Sequence, residues 1–270
     1  MKKGALIGHG MTAEVFEWGK DRVLKLFFGK YDDERVLYEA KIASLVHDAG
    51  VPSPEVFEII DLSGRKGIIF QRIFGRSLSI KIQEEPWKLE YYTQMLAKLQ
   101  FTIHQYTSDG LPSQKDRLSL IIGKSAKILG EKEKIIVDYL ESLPDGDSIC
   151  HGDLHFNNVM VSDDKLIAVD WNSSYRGNPL GDVARTCLMI SSPKIQMTSL
   201  NFMTNLTEYT KWLSQWSYLN EYMALSKVKY DNIDDWILPI AAGKLKDKVN
   251  GDQKRLMDII DERIELLHGN

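Results

Sequence analysis

Cysteine is nearly missing from this chain: only Cys150 and Cys187 are present, both in apolar stretches. So few thiols exclude a disulfide-stapled scaffold and suit a reducing compartment, with both read as core thiols; the spacing alone leaves a bridge between them open. Long apolar runs are missing too, so no segment is expected to span a bilayer. The short run after Met1-Lys2-Lys3 breaks at Gly8-His9-Gly10, which does not fit a secretion signal, and a cytoplasmic location is expected. There is no excess of positive charge. A formal net charge of −4 gives no polybasic footprint, so neither nucleic acid nor an anionic membrane is an expected partner. Repeats and low-complexity tracts are absent. What remains is 270 residues, 43% of them hydrophobic, enough for one large or two modest domains with a buried core.

The chemistry concentrates in one run, His151-Gly152-Asp153-Leu154-His155-Phe156-Asn157-Asn158, followed by Asp170 after the apolar strand Leu166-Ile167-Ala168-Val169. Phosphoryl transfer needs one carboxylate to orient the attacking hydroxyl, and an amide oxygen and a second carboxylate to hold Mg²⁺ against nucleotide phosphates. Asp153, Asn158 and Asp170 supply these groups in that order, with a hairpin through Asp163-Asp164 returning the chain. Two rival readings exist. One is a hairpin whose Asp and Asn serve turns only. The other is zinc or iron ligation by His151, Asp153 and His155, which leaves Lys25 and Asn158 without work.

Residues 150–171, with Arg176-Gly177-Asn178-Pro179-Leu180-Gly181-Asp182-Val183-Ala184-Arg185, resemble the aminoglycoside phosphotransferase family of small-molecule kinases. Its superfamily also holds choline, fructosamine and homoserine kinases. The resemblance implies a two-lobed, protein-kinase-like α+β fold and transfer of the γ-phosphate of ATP to a small-molecule hydroxyl with Mg²⁺. The acceptor is expected to be an antibiotic or amino sugar, or a choline-like or other metabolite, and GTP stays open as donor. A nucleotide-binding protein without transfer activity is the alternative of another class, disfavoured because no catalytic position is lost.

The pattern before residue 75 reads as strands around one helix. Gly8-His9-Gly10 lies between two of the strands, where glycines let backbone N–H groups approach phosphate. A glycine pair alone is also ordinary hairpin chemistry. The third glycine of a protein kinase loop is replaced by Ala13, so Thr12 is expected to help in cradling. Lys25, between Leu24 and Leu26, is set apart from its apolar neighbours by strand alternation and is expected to reach the phosphates. A helix opens at Asp32-Asp33 and stops at Gly50, and Glu39 on it matches the family's partner for that lysine, with Glu34 the weaker candidate. Strands are expected over 55–60 and 67–73 around the turn Ser63-Gly64-Arg65-Lys66. The hinge Gln71-Arg72-Ile73 resembles the family's linker, with Gln71 and Ile73 expected to read the adenine edge through their backbones. The expected division is residues 1–75 as nucleotide-binding lobe and 76–270 as catalytic and substrate-binding lobe.

Residues 86–107 and 113–143 read as long helices, the second interrupted near Gly130; after Asp182 helices are expected over 183–190, 200–228, 231–245 and 253–267. Little chain separates Asp170 from Asn178-Pro179-Leu180, so an activation loop and its Ala-Pro-Glu element are lacking, and His155 replaces the usual protein-kinase lysine. Both points rank a protein kinase below a small-molecule kinase. Asp182 is read as bracing the catalytic loop, and His151 likewise.

Family members bind the acceptor among the late helices, so His155, Trp171, Tyr175, Asp231 and Asp235 are the substrate candidates. Phe202, Leu206, Tyr209, Leu213 and Trp216 recur at helical spacing, leaving pocket wall and core both open. Acids and bases balance at six each between Trp171 and Ile240, which gives no support for a polycationic acceptor.

Overall fold

In a computed structural model the chain is described over residues 3–29, 31–163, 165–191, 208–247 and 252–269. Five antiparallel strands form the first sheet: β1 (Lys3–His9), β2 (Ala13–Trp18), β3 (Arg22–Phe27), β4 (Val56–Leu62) and β5 (Arg65–Gln71), in the order β1-β2-β3-β5-β4. Alternation gives this sheet two apolar faces. Phe16, Trp18, Leu24, Leu26 and Ile69 pack on one, and Ala13, Phe27 and Ile68 meet helix α1 (Asp33–Asp48) on the other. Lys25 sits between two residues of the first set and so points with Phe27 toward α1.

Two turn expectations shift. Gly8 lies within β1 opposite Val15, and pairing continues to His9 and Glu14, so the reversal falls on Gly10-Met11-Thr12 and is closed by the Gly10 N–H on the Ala13 carbonyl at 2.8 Å. The later turn shrinks to Ser63-Gly64, because Arg65 already pairs with Leu62 and the strand expected from 67 starts two residues earlier. Helix α1 starts as expected: the Asp32 side chain accepts the Glu34 N–H at 3.0 Å.

The remaining chain is mainly helical. A short strand β6 (Arg76–Ser77) leads into α2 (Leu78–Glu84), neither of which was expected; Ser77 caps α2 by accepting the Ile80 N–H. Then come α3 (Leu89–Ile103), α4 (Gln114–Gly123), α5 (Ala126–Leu129) and α6 (Lys132–Ser142), so residues 113–143 are three helices. Strand β7 (Ser148–Cys150) precedes the catalytic run, and the hairpin β8 (Val159–Ser162) and β9 (Lys165–Ala168) follows it; β10 (Tyr175–Gly177) pairs back onto β7, and β6 onto β8. Asp164 of the hairpin tip lies outside the described residues. Helices α7 (Pro179–Ile190), α8 (Glu208–Ser226), α9 (Tyr230–Asp234), α10 (Ile237–Lys244) and α11 (Gln253–Gly269) complete the chain. The single helix expected over 231–245 is therefore two. The start of the helix expected over 200–228, with Phe202 and Leu206, lies outside the described residues, as does the Tyr209 side chain.

The main core runs through the helical lobe and takes in Ile42, Ala43 and Val46 of α1. Helix α1 thus packs its N-terminal half under the sheet and its C-terminal half into the large lobe, which fixes Glu39 at the junction. Cys150 and Cys187 are separate buried thiols, which closes the question of a bridge, and burial pushes both up as acids. No helix among the described residues is long and apolar enough to cross a membrane.

Candidate active site

Lys25 is the meeting point of the two lobes. Its Nζ donates to Glu39 Oε1 at 2.6 Å and to Asp170 Oδ1 at 3.0 Å. Burial pulls the lysine down, but Asp170 and then Glu39 outweigh it, so Lys25 is held above its ordinary value and stays an ammonium. Asp170 has φ 65 and ψ 62, a left-handed conformation uncommon outside glycine, which turns its carboxylate back toward the lysine. Asn172 Nδ2 donates to the same Asp170 oxygen at 3.3 Å.

The catalytic loop hangs on Asp182. This fully buried carboxylate accepts the backbone N–H groups of His151 at 3.0 Å and Gly152 at 2.8 Å, and the Gln100 amide at 2.9 Å, with His104 Nε2 at 3.2 Å. Burial opposes ionisation, but His104 and these donors hold the group down to about 2. Gly152 has φ 73, and a Cβ there would run into the Ser173 carbonyl, so only glycine fits. Buried His151 is locked as a neutral ring: Nε2 donates to the Val169 carbonyl at 3.1 Å and Nδ1 accepts the Asp153 N–H at 3.2 Å. With both nitrogens engaged, His151 cannot serve as a metal ligand, which removes the zinc or iron reading. His104, Cys150 and Asp182 lie close enough for a metal among the described residues, but the carboxylate is already filled by N–H donors and the thiol is protonated.

Asp153 is held between Arg185 and His155. Arg185 Nη2 is 3.5 Å from Oδ1, and His155 Nε2 is 3.8 Å from Oδ2. Burial alone raises the Asp153 carboxyl, but Arg185 first and His155 next outweigh it, so it sits below the ordinary carboxylate value. Such a group is ionised at neutral pH and a weak base, suited to orienting a hydroxyl more than to pulling its proton away early. His155 Nδ1 accepts the Asn157 N–H at 3.2 Å, and burial pushes its pKa down, so the ring faces Asp153 as a neutral group.

Two hard oxygens fit a divalent cation here. Asn158 Nδ2 donates to the Asp153 carbonyl at 3.0 Å, which holds the amide beside the loop, and its backbone carbonyl accepts the Val169 N–H at 2.9 Å. Val159 pairs with Ala168, so Asn158 and Asp170 stand at the same open end of the β8–β9 hairpin. At the hinge, the Gln71 and Arg72 N–H groups are engaged with the Glu55 and Asp21 carbonyls at 2.8 and 2.9 Å. Ile73 lies two residues past the end of β5. Gly75 presses on the Val161 carbonyl, where a Cβ has no room. Gly10 and Thr12 lie in the β1–β2 loop, and Gly8 is inside β1.

Several substrate candidates move away. Trp171 and Tyr175 are each only 3% exposed; the Trp171 indole donates to the Ala168 carbonyl at 2.9 Å and packs on His151. Both are interior supports of the loop, which corrects the expectation that they touch the acceptor. Asp231 and Asp235 are exposed on and beside α9, where the neighbouring Asp234 pairs with Arg263 of α11, and Asp235 acts electrostatically on Tyr139 of α6. They are not brought to Asp153. On α8, Trp212 and Trp216 stack at 6.1 Å and are about half exposed, whereas Tyr218 and Tyr222 are core. Sequence reasoning missed Arg185 as the partner of Asp153, although it lies one helical turn after Asp182 on α7, and missed Gln100 and His104 as partners of Asp182.

The sequence profile described as the phosphotransferase enzyme family matches residues 3–199. No curated protein matches by sequence. Among solved structures, a thermostable mutant of aminoglycoside phosphotransferase APH(4)-Ia in its apo form is similar, with TM-score 0.65 and 16% identity over 99% of this chain and 96% of that one. A ternary complex of a further thermostable mutant of that enzyme with AMP-PNP and hygromycin B has TM-score 0.63 and 17% identity over 96% and 91%. Choline kinase from Cryptosporidium parvum Iowa II has TM-score 0.55 and 15% identity over 98% and 90%. At these identities the likeness is one of fold.

Proposed function

The chain belongs to the phosphotransferase enzyme family, and from that premise we propose that it transfers the γ-phosphate of ATP to a hydroxyl of a small molecule, with Mg²⁺ as cofactor. The observation that carries this reading is the ammonium of Lys25 set between Glu39 and Asp170, at the edge of the loop that holds Asp153. A lysine so restrained is aimed at phosphate oxygens. A solved neighbour of the same fold holds AMP-PNP and hygromycin B, which supports nucleotide as donor and a small polyhydroxyl compound as a class of acceptor.

Asp153 orients the acceptor hydroxyl, whose oxygen attacks the γ-phosphorus as the bond to the ADP oxygen breaks; the hydroxyl proton passes to Asp153. Asn158 and Asp170 are the residues that would hold Mg²⁺, which when bound neutralises phosphate charge. Lys25 steadies the phosphates, Glu39 positions Lys25, and the β1–β2 loop with Gly10 and Thr12 covers them. Ile73 reads the base edge. Arg185 holds Asp153 in place, and Asp182 holds the loop. The transition state is loose, so positioning and charge neutralisation supply most of the rate.

The test is nucleotide consumption over a panel of hydroxyl compounds, with Asp153→Ala as blank. Acceptor-dependent ADP release above that blank is expected. A wild-type protein that binds nucleotide yet stays at the blank throughout would mark a binding protein without transfer.

A further inference from the structure

Two tyrosines of α8 carry hydroxyls that packing alone does not explain. Tyr218 and Tyr222 are buried in the main core, where a phenylalanine would fill the same space and a hydroxyl without a partner is costly. Each hydroxyl finds a buried polar side chain of α3. The Tyr222 hydroxyl lies 2.7 Å from His104 Nδ1, and the Tyr218 hydroxyl donates to Gln100 Oε1. Gln100 and His104 stand one turn apart on α3, as Tyr218 and Tyr222 do on α8, and the two helices pack against each other.

Both arms end on one atom. Asp182 Oδ2 accepts Gln100 Nε2 at 2.9 Å and faces His104 Nε2 at 3.2 Å. A carboxylate can only accept, so His104 carries a proton on Nε2; with a single ring proton, Nδ1 is then the acceptor for the Tyr222 O–H. The two tyrosines thereby fix the His104 ring and the Gln100 amide in the orientations that serve Asp182. The His151 N–H reaches the same Oδ2 at 3.0 Å, whereas Oδ1 takes the Gly152 N–H at 2.8 Å. Three donors on Oδ2 set how the carboxylate is turned, and that turn sets where Oδ1 holds Gly152, the residue directly before Asp153. Thr186 Oγ1 of α7 separately donates to the Leu154 carbonyl at 3.2 Å, so the loop stays tethered if these arms slacken.

We propose that Tyr218 and Tyr222 are positioning residues: through Gln100 and His104 they act on Asp182, so that helix α8 sets the placement of Asp153 against the acceptor hydroxyl. The role of Asp153 here rests on the phosphotransferase reading above, whereas the link from α8 to the loop stands on its own geometry.

Amide hydrogen exchange followed by NMR on the full chain tests the link without any ligand. In Tyr222→Phe and in Tyr218→Phe, the His151 and Gly152 N–H groups should exchange about tenfold faster relative to that of Ile122 in α4, the scale of a lost buried hydrogen bond. A uniform rise that includes Ile122 would mean a loss of stability only, and unchanged His151 and Gly152 rates would mean no link; either overturns the proposal. Side-chain mimics of the histidine supply the rescue arm. His104→Gln keeps an N–H for Asp182 and should match Tyr222→Phe, while His104→Asn keeps only an acceptor for Tyr222 and should lose more protection; the reverse order overturns action through His104. Adding Tyr222→Phe to His104→Gln should change little, and a full second loss likewise overturns it. With ATP, Mg²⁺ and glycerol, choline or hygromycin B as acceptor, Tyr222→Phe should lower kcat about tenfold and leave KM for ATP within about twofold of wild type. A rise in KM for ATP at unchanged kcat overturns the effect on Asp153. If none of these acceptors is consumed above the Asp153→Ala blank, it is the phosphotransferase reading that loses support, and the exchange rates still decide the link from α8.

Discussion

Lys25 Nζ lies 3.0 Å from Asp170 Oδ1, a bond between residues 145 positions apart that ties the first sheet to the catalytic hairpins. The lysine shares that ammonium with Glu39, which is 2% exposed and sits on a helix rooted in both lobes. One side chain therefore couples the position of α1 to that of Asp170, the carboxylate proposed to hold the metal.

Lys25→Ala should raise KM for ATP and lower kcat, together costing on the order of ten- to a hundredfold in kcat/KM, since charge-assisted bonds are worth ~1.5–3 kcal/mol. Glu39→Gln should cost less, because Asp170 still restrains the ammonium. Since Lys25 is held above its ordinary value, nucleotide affinity should show no loss from its titration up to about pH 10. Steady-state kinetics across pH checks both statements.

Asp153→Ala and Asp170→Ala should fail differently. The first should lower turnover by ~10²–10⁴ with nucleotide affinity nearly intact, the usual range for a lost acid–base group. The second should remove the Mg²⁺ dependence of nucleotide binding. Calorimetric titration of nucleotide with and without Mg²⁺ separates them; Asp153→Ala turning over at the wild-type rate would strike that residue from the mechanism.

Asp182→Ala should destabilise the fold by ~3–5 kcal/mol, because it strands buried donors of His151, Gly152 and Gln100. The folded value of Asp182, about 2, lies below the ordinary 3.8, so its contribution is complete above about pH 4 and is lost as pH falls toward 2. That contribution is about 2 kcal/mol. Denaturant melts at pH 6 and at pH 3 should show a larger drop in wild type than in the Asp182→Asn variant, which keeps only the contribution of the other depressed carboxylates such as Asp153.

Gly152→Ala should impair folding and activity together, by more than the ~1 kcal/mol of an ordinary Gly-to-Ala change, because a positive φ and the Ser173 carbonyl both oppose a side chain. A melting midpoint within one or two degrees of wild type would show that the loop relaxes more freely than this packing allows.

Much of this site was readable in one dimension because its chemistry is local. Asp153, Asn158 and Asp170 are spaced by one loop and one hairpin, and short-range backbone geometry carries the spacing into space. Glu39 was legible only as a helix position, since an ion pair with Lys25 depends on how α1 lies against β3. Trp171 and Tyr175 misled because an aromatic residue beside a catalytic loop reads the same whether it faces the cleft or the core. The helix breaks near Ser125 and Asp235 were missed because packing, not a proline or a capping box, sets them.

The order of residues by itself determined the family resemblance, the α+β class, the cap of α1 and the chemistry of the catalytic run, all products of local pattern and residue type. Only the tertiary structure decided which charges surround Asp153, that Asp182 carries the loop, and that the acidic cluster of α9 lies apart from it. Those depend on distances between segments far apart in the chain, and electrostatic energy follows distance and burial, neither of which a one-dimensional sequence contains.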